Sequence, residues 1–201
     1  MITIVNYGMG NLGSIQNMFK RIGEEVIVTD DLELIARAKK ILLPGVGSFD
    51  NAMQRVNESG LRDVLNRKAL VERVPILGIC LGMQLLTRSS EEGKQPGLGW
   101  IAASTKRFPA LPGLKVPHMG WNVVVPTRAS VLTRNLSDEV RFYFVHSYCV
   151  QVDYPQDEIL KANYGISFAA AVQHDNIYGA QFHPEKSHRF GMQFLKNFAG
   201  V

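Results

Sequence analysis

Four short apolar runs in the first 80 residues constrain the fold more than any other feature: "ITIV" (2–5), "EVIV" (25–28), "KILLPGVG" (40–47) and "VPILGI" (74–79). Runs of this length predict strands buried on both faces. Between them the period changes. Leu12, Ile15, Met18, Phe19 and Ile22 recur at helical spacing over 12–22, helical patterns fill about 48–70, and a further helix follows Cys80. Strands alternating with helices predict a parallel sheet covered on both faces. Beyond about residue 96 the segments are short and turn-rich, and "GWI", "WNVVV", "RFYFVHSYCV", "EILKANY", "FAAAV" and "IYGAQF" read mostly as strands. A last helix over about 187–198 carries Phe190, Phe194, Leu195 and Phe198 on one side. The expectation is one α/β domain over residues 1–201, a central mostly parallel sheet flanked by helices, with an antiparallel extension in the second half.

Composition narrows the function classes. Apolar residues make up 46% and charged residues 20% of the 201, as in an ordinary globular protein. The start has no basic region leading into a long apolar segment, and no apolar run reaches the roughly 18 residues of a membrane span, so a cytoplasmic protein is expected. The net charge of +4 is scattered, with short pairs at Lys20–Arg21 and Lys39–Lys40, which argues against nucleic acid. Two cysteines without a CxxC pair, and five histidines without an HxxxH spacing, predict neither a disulfide nor a metal centre, and no cofactor is called for.

Gly78-Ile79-Cys80-Leu81-Gly82 has the form G-x-C-x-G between a strand and a helix. This is the nucleophile-elbow pattern with sulfur in place of oxygen. The bend exposes the thiol at the carboxyl edge of the sheet, and the glycines remove side chains that would collide with neighbouring backbone. A helix N-terminus favours an anion beside it, and the Leu81 N–H can face a developing oxyanion. The competing reading is a small core residue, and Cys149, in "FVHSYCV" with no glycines or bend, takes that reading.

A thiolate nucleophile needs a base, and the base needs an orienting group. "GAQFHPEKS" (179–187) supplies His183 and Glu185, two residues apart and so on one side of an extended chain. Pro184 biases His183 toward that geometry. "LLPGVGSF" (42–49) places Gly45 and Gly47 on either side of Val46 at a strand end, where backbone N–H groups can approach a substrate oxygen.

Cys elbow first and His-x-Glu near the C-terminus resembles the class I (triad) glutamine amidotransferases. "PGVGSF", "GICLGMQLL", "PHMGWN" (117–122), "FYFVHSY" (142–148) and "GAQFHPEKS", with "NYGMGNLGS" (6–14), resemble in particular the glutaminase subunits of imidazole glycerol phosphate synthase. The resemblance implies a flavodoxin-like sheet and a catalytic Cys80–His183–Glu185 triad hydrolysing L-glutamine through a glutamyl thioester. It implies glutamine contacts from Gln84, His146, Ser147 and Tyr148, and an oxyanion loop of Gly45, Val46 and Gly47 aided by Leu81. It also implies a heterodimer with a HisF-type (β/α)8 cyclase, which takes the ammonia through an internal tunnel and makes imidazole glycerol phosphate and an aminoimidazole carboxamide nucleotide. Asn11, Met119, Trp121, Tyr143 and Lys186 match positions at or near that interface. Met119 and Trp121 beside Gly120 also read as an exposed loop anchor; the alternative is that Trp121 starts a core strand.

Three other readings remain. A paralogue of the same glutaminase supplies ammonia for surface-sugar amidination. A binding or regulatory module would carry a dead site, against which the intact elbow, base and orienting carboxylate argue. A cysteine peptidase would use a similar sheet, against which "HPE" and "PHMGWN" argue.

Overall fold

The computed structural model describes residues 1–136 and 139–201. Its first half alternates as the apolar runs predict. Strands β1 (Ile2–Val5), β2 (Val26–Thr29), β3 (Ile41–Leu43) and β4 (Ile76–Ile79) alternate with helices α1 (Leu12–Arg21), α2 (Leu32–Ala36), α3 (Phe49–Glu58), α4 (Leu61–Asn66) and α5 (Leu81–Leu85). The second half holds β5 (Ala103–Arg107), β6 (His118–Pro126), β7 (Arg141–His146), β8 (Tyr148–Val152), β9 (Glu158–Tyr164), β10 (Ile166–His174), β11 (Ile177–Ala180) and α6 (His188–Ala199).

Nine strands form one sheet in the order β2-β1-β3-β4-β11-β10-β9-β6-β7, and β5 pairs with β8 apart from it. The five strands from β2 to β11 are parallel, and β10, β9, β6 and β7 extend the sheet antiparallel. Every residue of β1, β3, β4 and β11 is buried. One core layer packs Ile15 and Phe19 of α1 with Phe194 and Phe198 of α6, while the other packs Phe49, Met53 and Leu65 of α3 and α4. Phe142 and Phe182 stack at 3.7 Å between centroids, and Phe194 meets Phe182 edge-on at 5.0 Å. Such pairs contribute about 0.5–1.5 kcal/mol each beyond their buried area.

Several expectations change in detail. The helical patterns over 48–70 resolve into two helices divided at Gly60, which takes φ +75°, and a π-helical turn over Arg67–Val71. "GWI" is not a strand: Trp100 and Ile101 donate their N–H groups to the Leu86 carbonyl, so the segment caps α5 and β5 begins only at Ala103. The third run does end where the sequence indicates, after Leu43 at Pro44 and Gly45. "RFYFVHSYCV" divides at Ser147 into β7 and β8, which belong to different sheets. Met119 and Trp121 lie neither in a loop nor in the core, but on the outward face of β6.

The glycines of the elbow are steric requirements. A Cβ on Gly82 would stand 2.0 Å from the Leu43 carbonyl oxygen, and one on Gly78 would stand 2.5 Å from the Gly82 oxygen. The ends of β3 and β4 and the start of α5 therefore touch backbone to backbone.

Beside the elbow a buried histidine pair fills the antiparallel half. Phe108, Phe144, Phe168 and Tyr164 surround His118 and His146. His146 Nδ1–H donates to the Tyr148 carbonyl at 2.8 Å, and His146 Nε2 accepts from His118 Nδ1–H at 2.9 Å. Each ring is a donor at one nitrogen and an acceptor at the other, so both are neutral. Burial pulls His118 down to about 4 and His146 down to about 3.

Four outcomes are expected. Gly82→Ala destabilises the protein by about 2 kcal/mol or more in urea unfolding, through backbone displacement. Gly13→Ala, where nothing lies within 4 Å of the added carbon, costs nothing. On acidification the unfolded chain protonates both histidines below about 6.5 while the folded chain holds them neutral, so stability falls from pH 6.5 toward 4. His118→Phe flattens that slope in unfolding curves taken at successive pH values.

Candidate active site

The site sits at the carboxyl ends of the parallel strands, where α/β sheets place their ligands. Cys80 follows β4 and His183 follows β11. The two strands pair in parallel, Ile79 opposite Ala180, and the Cys80 N–H closes the ladder on the Ala180 carbonyl at 2.7 Å. Residues 103 apart in sequence thus reach the same edge. Cys80 holds φ +55° and ψ −112°, a region that costs a side-chain-bearing residue about 1–3 kcal/mol. The turn aims the sulfur out of the sheet. The helix after it is only five residues long, so its dipole contributes less than the sequence suggested. Among the described residues, no acceptor pairs with the Leu81 N–H.

His183 Nδ1–H donates to Glu185 Oε1 at 2.8 Å, and both side chains are almost wholly buried. The carboxylate comes round on a tight 3-10 turn over Pro184–Lys186 rather than on the continuous extended chain expected, though His183 itself is extended. Ser187 clamps the turn: its hydroxyl donates to the His183 carbonyl at 2.6 Å and accepts the Tyr143 N–H at 3.0 Å. His183 Nε2 is buried with no hydrogen-bond partner and is left for chemistry in the pocket. Burial alone would lower the His183 pKa. Its interactions with the Cys80 thiolate and with Glu185 outweigh that and raise it to about 10. His183 therefore keeps its proton at neutral pH, beside the Cys80 sulfur.

A cavity of about 320 Å³ opens over the sulfur, enough for an amino-acid ligand. Val46, Gly47, Leu81, Gln84, His146, Ser147, Tyr148 and Lys186 line it with Cys80 and His183, while Glu185 stands behind the imidazole. Gly45 lies beneath, and a Cβ there would meet the Gly82 nitrogen at 2.6 Å. Gly47 takes φ +121° and Val46 is 52% exposed, so the loop turns its one side chain outward. The Tyr7 hydroxyl donates to the Pro44 carbonyl at 2.5 Å and ties the start of this loop to β1; burial, with the charge of Cys80 adding, keeps that phenol protonated.

Asn11, Met119, Trp121 and Tyr143 do not line the cavity. Asn11 precedes α1 beside Gly10, which packs on Pro44. The others adjoin its mouth. Lys186 lies over the Tyr143 ring, Tyr143 meets Trp121 edge-on, and Met119 pairs with Val145, which lines the cavity. Trp121 is 43% and Met119 62% exposed. With Val123 and Val125 they form an apolar outer face on β6.

Sequence reading missed Glu92, Gln181 and Tyr7. Glu92 lines the cavity and accepts the Phe49 N–H at 2.9 Å, from a loop without local pattern. Gln181 is fully buried beside Cys80; its place two residues before His183 in a strand end was the available signal.

The model of the family described as glutamine amidotransferase class-I matches residues 3–200. The imidazole glycerol phosphate synthase subunit HisH 2 of Methanococcus maripaludis is 53% identical over 98% of both chains. HisH 2 of Pseudomonas aeruginosa is 50% identical over 98% of both, and HisH of Bdellovibrio bacteriovorus is 48% identical over the whole of both. Among solved structures, a glutamine amidotransferase superposes with a TM-score of 0.77 over 100% of this chain and 99% of its own, at 20% identity. A glutamine amidotransferase of Thermotoga maritima gives 0.66 over 99% of this chain and 82% of its own, at 17% identity. The last two show the fold. The family model and the relatives near half identity show more: this chain belongs to the class I glutamine amidotransferases.

Proposed function

We propose that the chain is the glutaminase subunit of an imidazole glycerol phosphate synthase, acting as one unit over residues 1–201. The observation that carries the chemistry is His183, with one nitrogen held by Glu185 and the other unpaired beside Cys80. The Cys80 thiolate attacks the carboxamide carbon of L-glutamine. The oxyanion is met by the Leu81 N–H and by the Gly45–Val46–Gly47 backbone. The imidazolium Nε2–H protonates the departing ammonia and leaves a glutamyl thioester. Neutral His183 then takes a proton from water, which attacks the thioester, and returns it to the sulfur as glutamate leaves. Glu185 holds the ring in the required tautomer throughout.

Gln84 spends both N–H bonds inside the protein, on the Tyr148 carbonyl at 3.2 Å and on Gln181 Oε1 at 3.0 Å. Its oxygen is the atom suited to the substrate ammonium, with the Glu92 carboxylate nearby on the same wall. His146, Ser147 and Tyr148 form the opposite side. Free ammonia is protonated in neutral water and loses its nucleophilicity, so delivery to a docked HisF-type barrel fits the chemistry. The apolar face of Met119, Trp121 and Tyr143 beside Lys186, with Asn11 near the loop, is the surface suited to that partner. The relatives' names support this pathway over sugar amidination. Family membership sets the peptidase aside. Among the described residues no helix is long and apolar enough to cross a membrane, which fits work in the cytoplasm.

Glutamate release from glutamine is expected to rise strongly when a HisF barrel and a nucleotide ligand of that barrel are added; an unstimulated, folded chain would favour the sugar-amidination paralogue. Cys80→Ser abolishes release while leaving the far-ultraviolet spectrum and barrel binding intact. Glu185→Gln lowers kcat by about 100-fold or more. Because Cys80 and Glu185 hold the His183 proton well above neutral, activity is expected to decline as pH rises toward 10, and in Glu185→Gln that decline begins at lower pH. Trp121→Ala weakens barrel binding by about tenfold or more in titration calorimetry with little change in Tm, since the ring is largely at the surface.

A further inference from the structure

A line of buried amides runs from a backbone carbonyl to the nucleophile. The Tyr148 carbonyl can only accept, and it already takes the His146 Nδ1–H. It also takes one N–H of Gln84, which fixes that amide with its nitrogen toward Tyr148. The second N–H of the same nitrogen reaches Gln181 Oε1. Gln181 is fully buried, so its oxygen is committed to Gln84 and its nitrogen must face the other way. That nitrogen stands 3.8 Å from Cys80 Sγ. Flipping Gln181 would oppose two NH2 groups, and flipping Gln84 as well would oppose its oxygen to the Tyr148 oxygen. Backbone geometry at Tyr148 therefore decides that the sulfur meets a donor.

We propose that Gln181 is a further catalytic residue: its side-chain N–H, aimed by Gln84 and the Tyr148 carbonyl, stabilises the thiolate of Cys80 and the sulfur that leaves when the thioester is hydrolysed. A donor fixed before the reaction costs no reorganisation when charge appears on the sulfur. Hydrogen bonds to an ionised partner in a buried site are stronger than neutral ones. The imidazolium of His183 and the Gln181 amide act on the same sulfur as two separate supports. Only the first moves a proton.

The role of Gln181 rests on the reading of Cys80 as the nucleophile, and alkylation separates the two. Iodoacetamide reacts with thiolates. Cys149 is fully buried, and burial, with the Glu91 charge adding, pushes its thiol up to about 11, so the reaction at neutral pH reports Cys80. In Gln181→Met, which keeps the length and loses the donor, alkylation at pH 7 is expected to slow about tenfold and to recover at alkaline pH, and kcat for glutamine falls by a similar factor. Gln181→Glu, which puts an anion at the sulfur, slows alkylation further. Gln84→Met leaves Gln181 in place but unaimed and gives a smaller loss; it serves as the test if the Gln181 variants do not fold. A wild-type chain in which Cys80 is not alkylated in preference to Cys149 would sink the nucleophile assignment. A reactive wild type with an unchanged rate and pH profile in folded Gln181→Met, or in Gln84→Met, would overturn the role of Gln181 alone.

Discussion

The parallel pairing of β4 with β11 is the constraint on which the site depends. It joins two segments from opposite ends of the chain at a fixed register, Ile79 to Ala180. Once that register is set, the next residue on one strand is Cys80, and three residues on from the other is His183. A slip of one residue would turn one strand over relative to the other and point the sulfur and the imidazole away from each other. The small residues of the elbow protect the register, because Gly82 lies against the Leu43 carbonyl with no room for a side chain. The strain at Cys80 is held by the same contacts. Buried strands on both sides leave the turn nowhere to relax.

Three histidines in and beside the cavity are all buried, and their surroundings assign them different charge states. His118 and His146 face each other, a carbonyl and aromatic rings, and an added proton would find another donor in its way. They stay neutral and act as spacers of fixed polarity under Tyr148. His183 faces a carboxylate and a thiol, and it keeps its proton despite burial. Burial alone therefore says nothing of charge here; what matters is whether the neighbour accepts or donates.

The sequence was legible where the physics is local. Four apolar runs became the four parallel strands of the first half, within a residue or two, and the Phe190–Phe198 stripe became α6. The elbow was legible because two glycines and one thiol admit few backbone solutions. The resemblance added roles that spacing alone could not supply, and the cavity gathers most of those residues. What was hidden depends on distant partners. Ser147 breaks a strongly strand-like run because its two halves join different sheets, a fact absent from the run itself. "GWI" has strand-forming residues, but its amides serve the end of α5. Trp121 suggested either loop or core, since alternation along β6 shows which residues share a face and not which face is covered. Gln181 offered only its place two residues before His183, since an amide in a strand end becomes informative only when its neighbours fix its orientation.

The place of β11 has a consequence for how the molecule is made. A ribosome delivers β4 about a hundred residues before it delivers β11, yet β11 lies between β4 and β10 at the centre of the sheet. Until then β4 has β3 on one side and an open edge on the other, and the antiparallel half has no parallel half to join. The sulfur of Cys80 accordingly has no His183 beside it until β11 is made. Joining of the sheet and the meeting of Cys80 with His183 are one event, so the growing chain holds two unjoined half-sheets until β11 emerges.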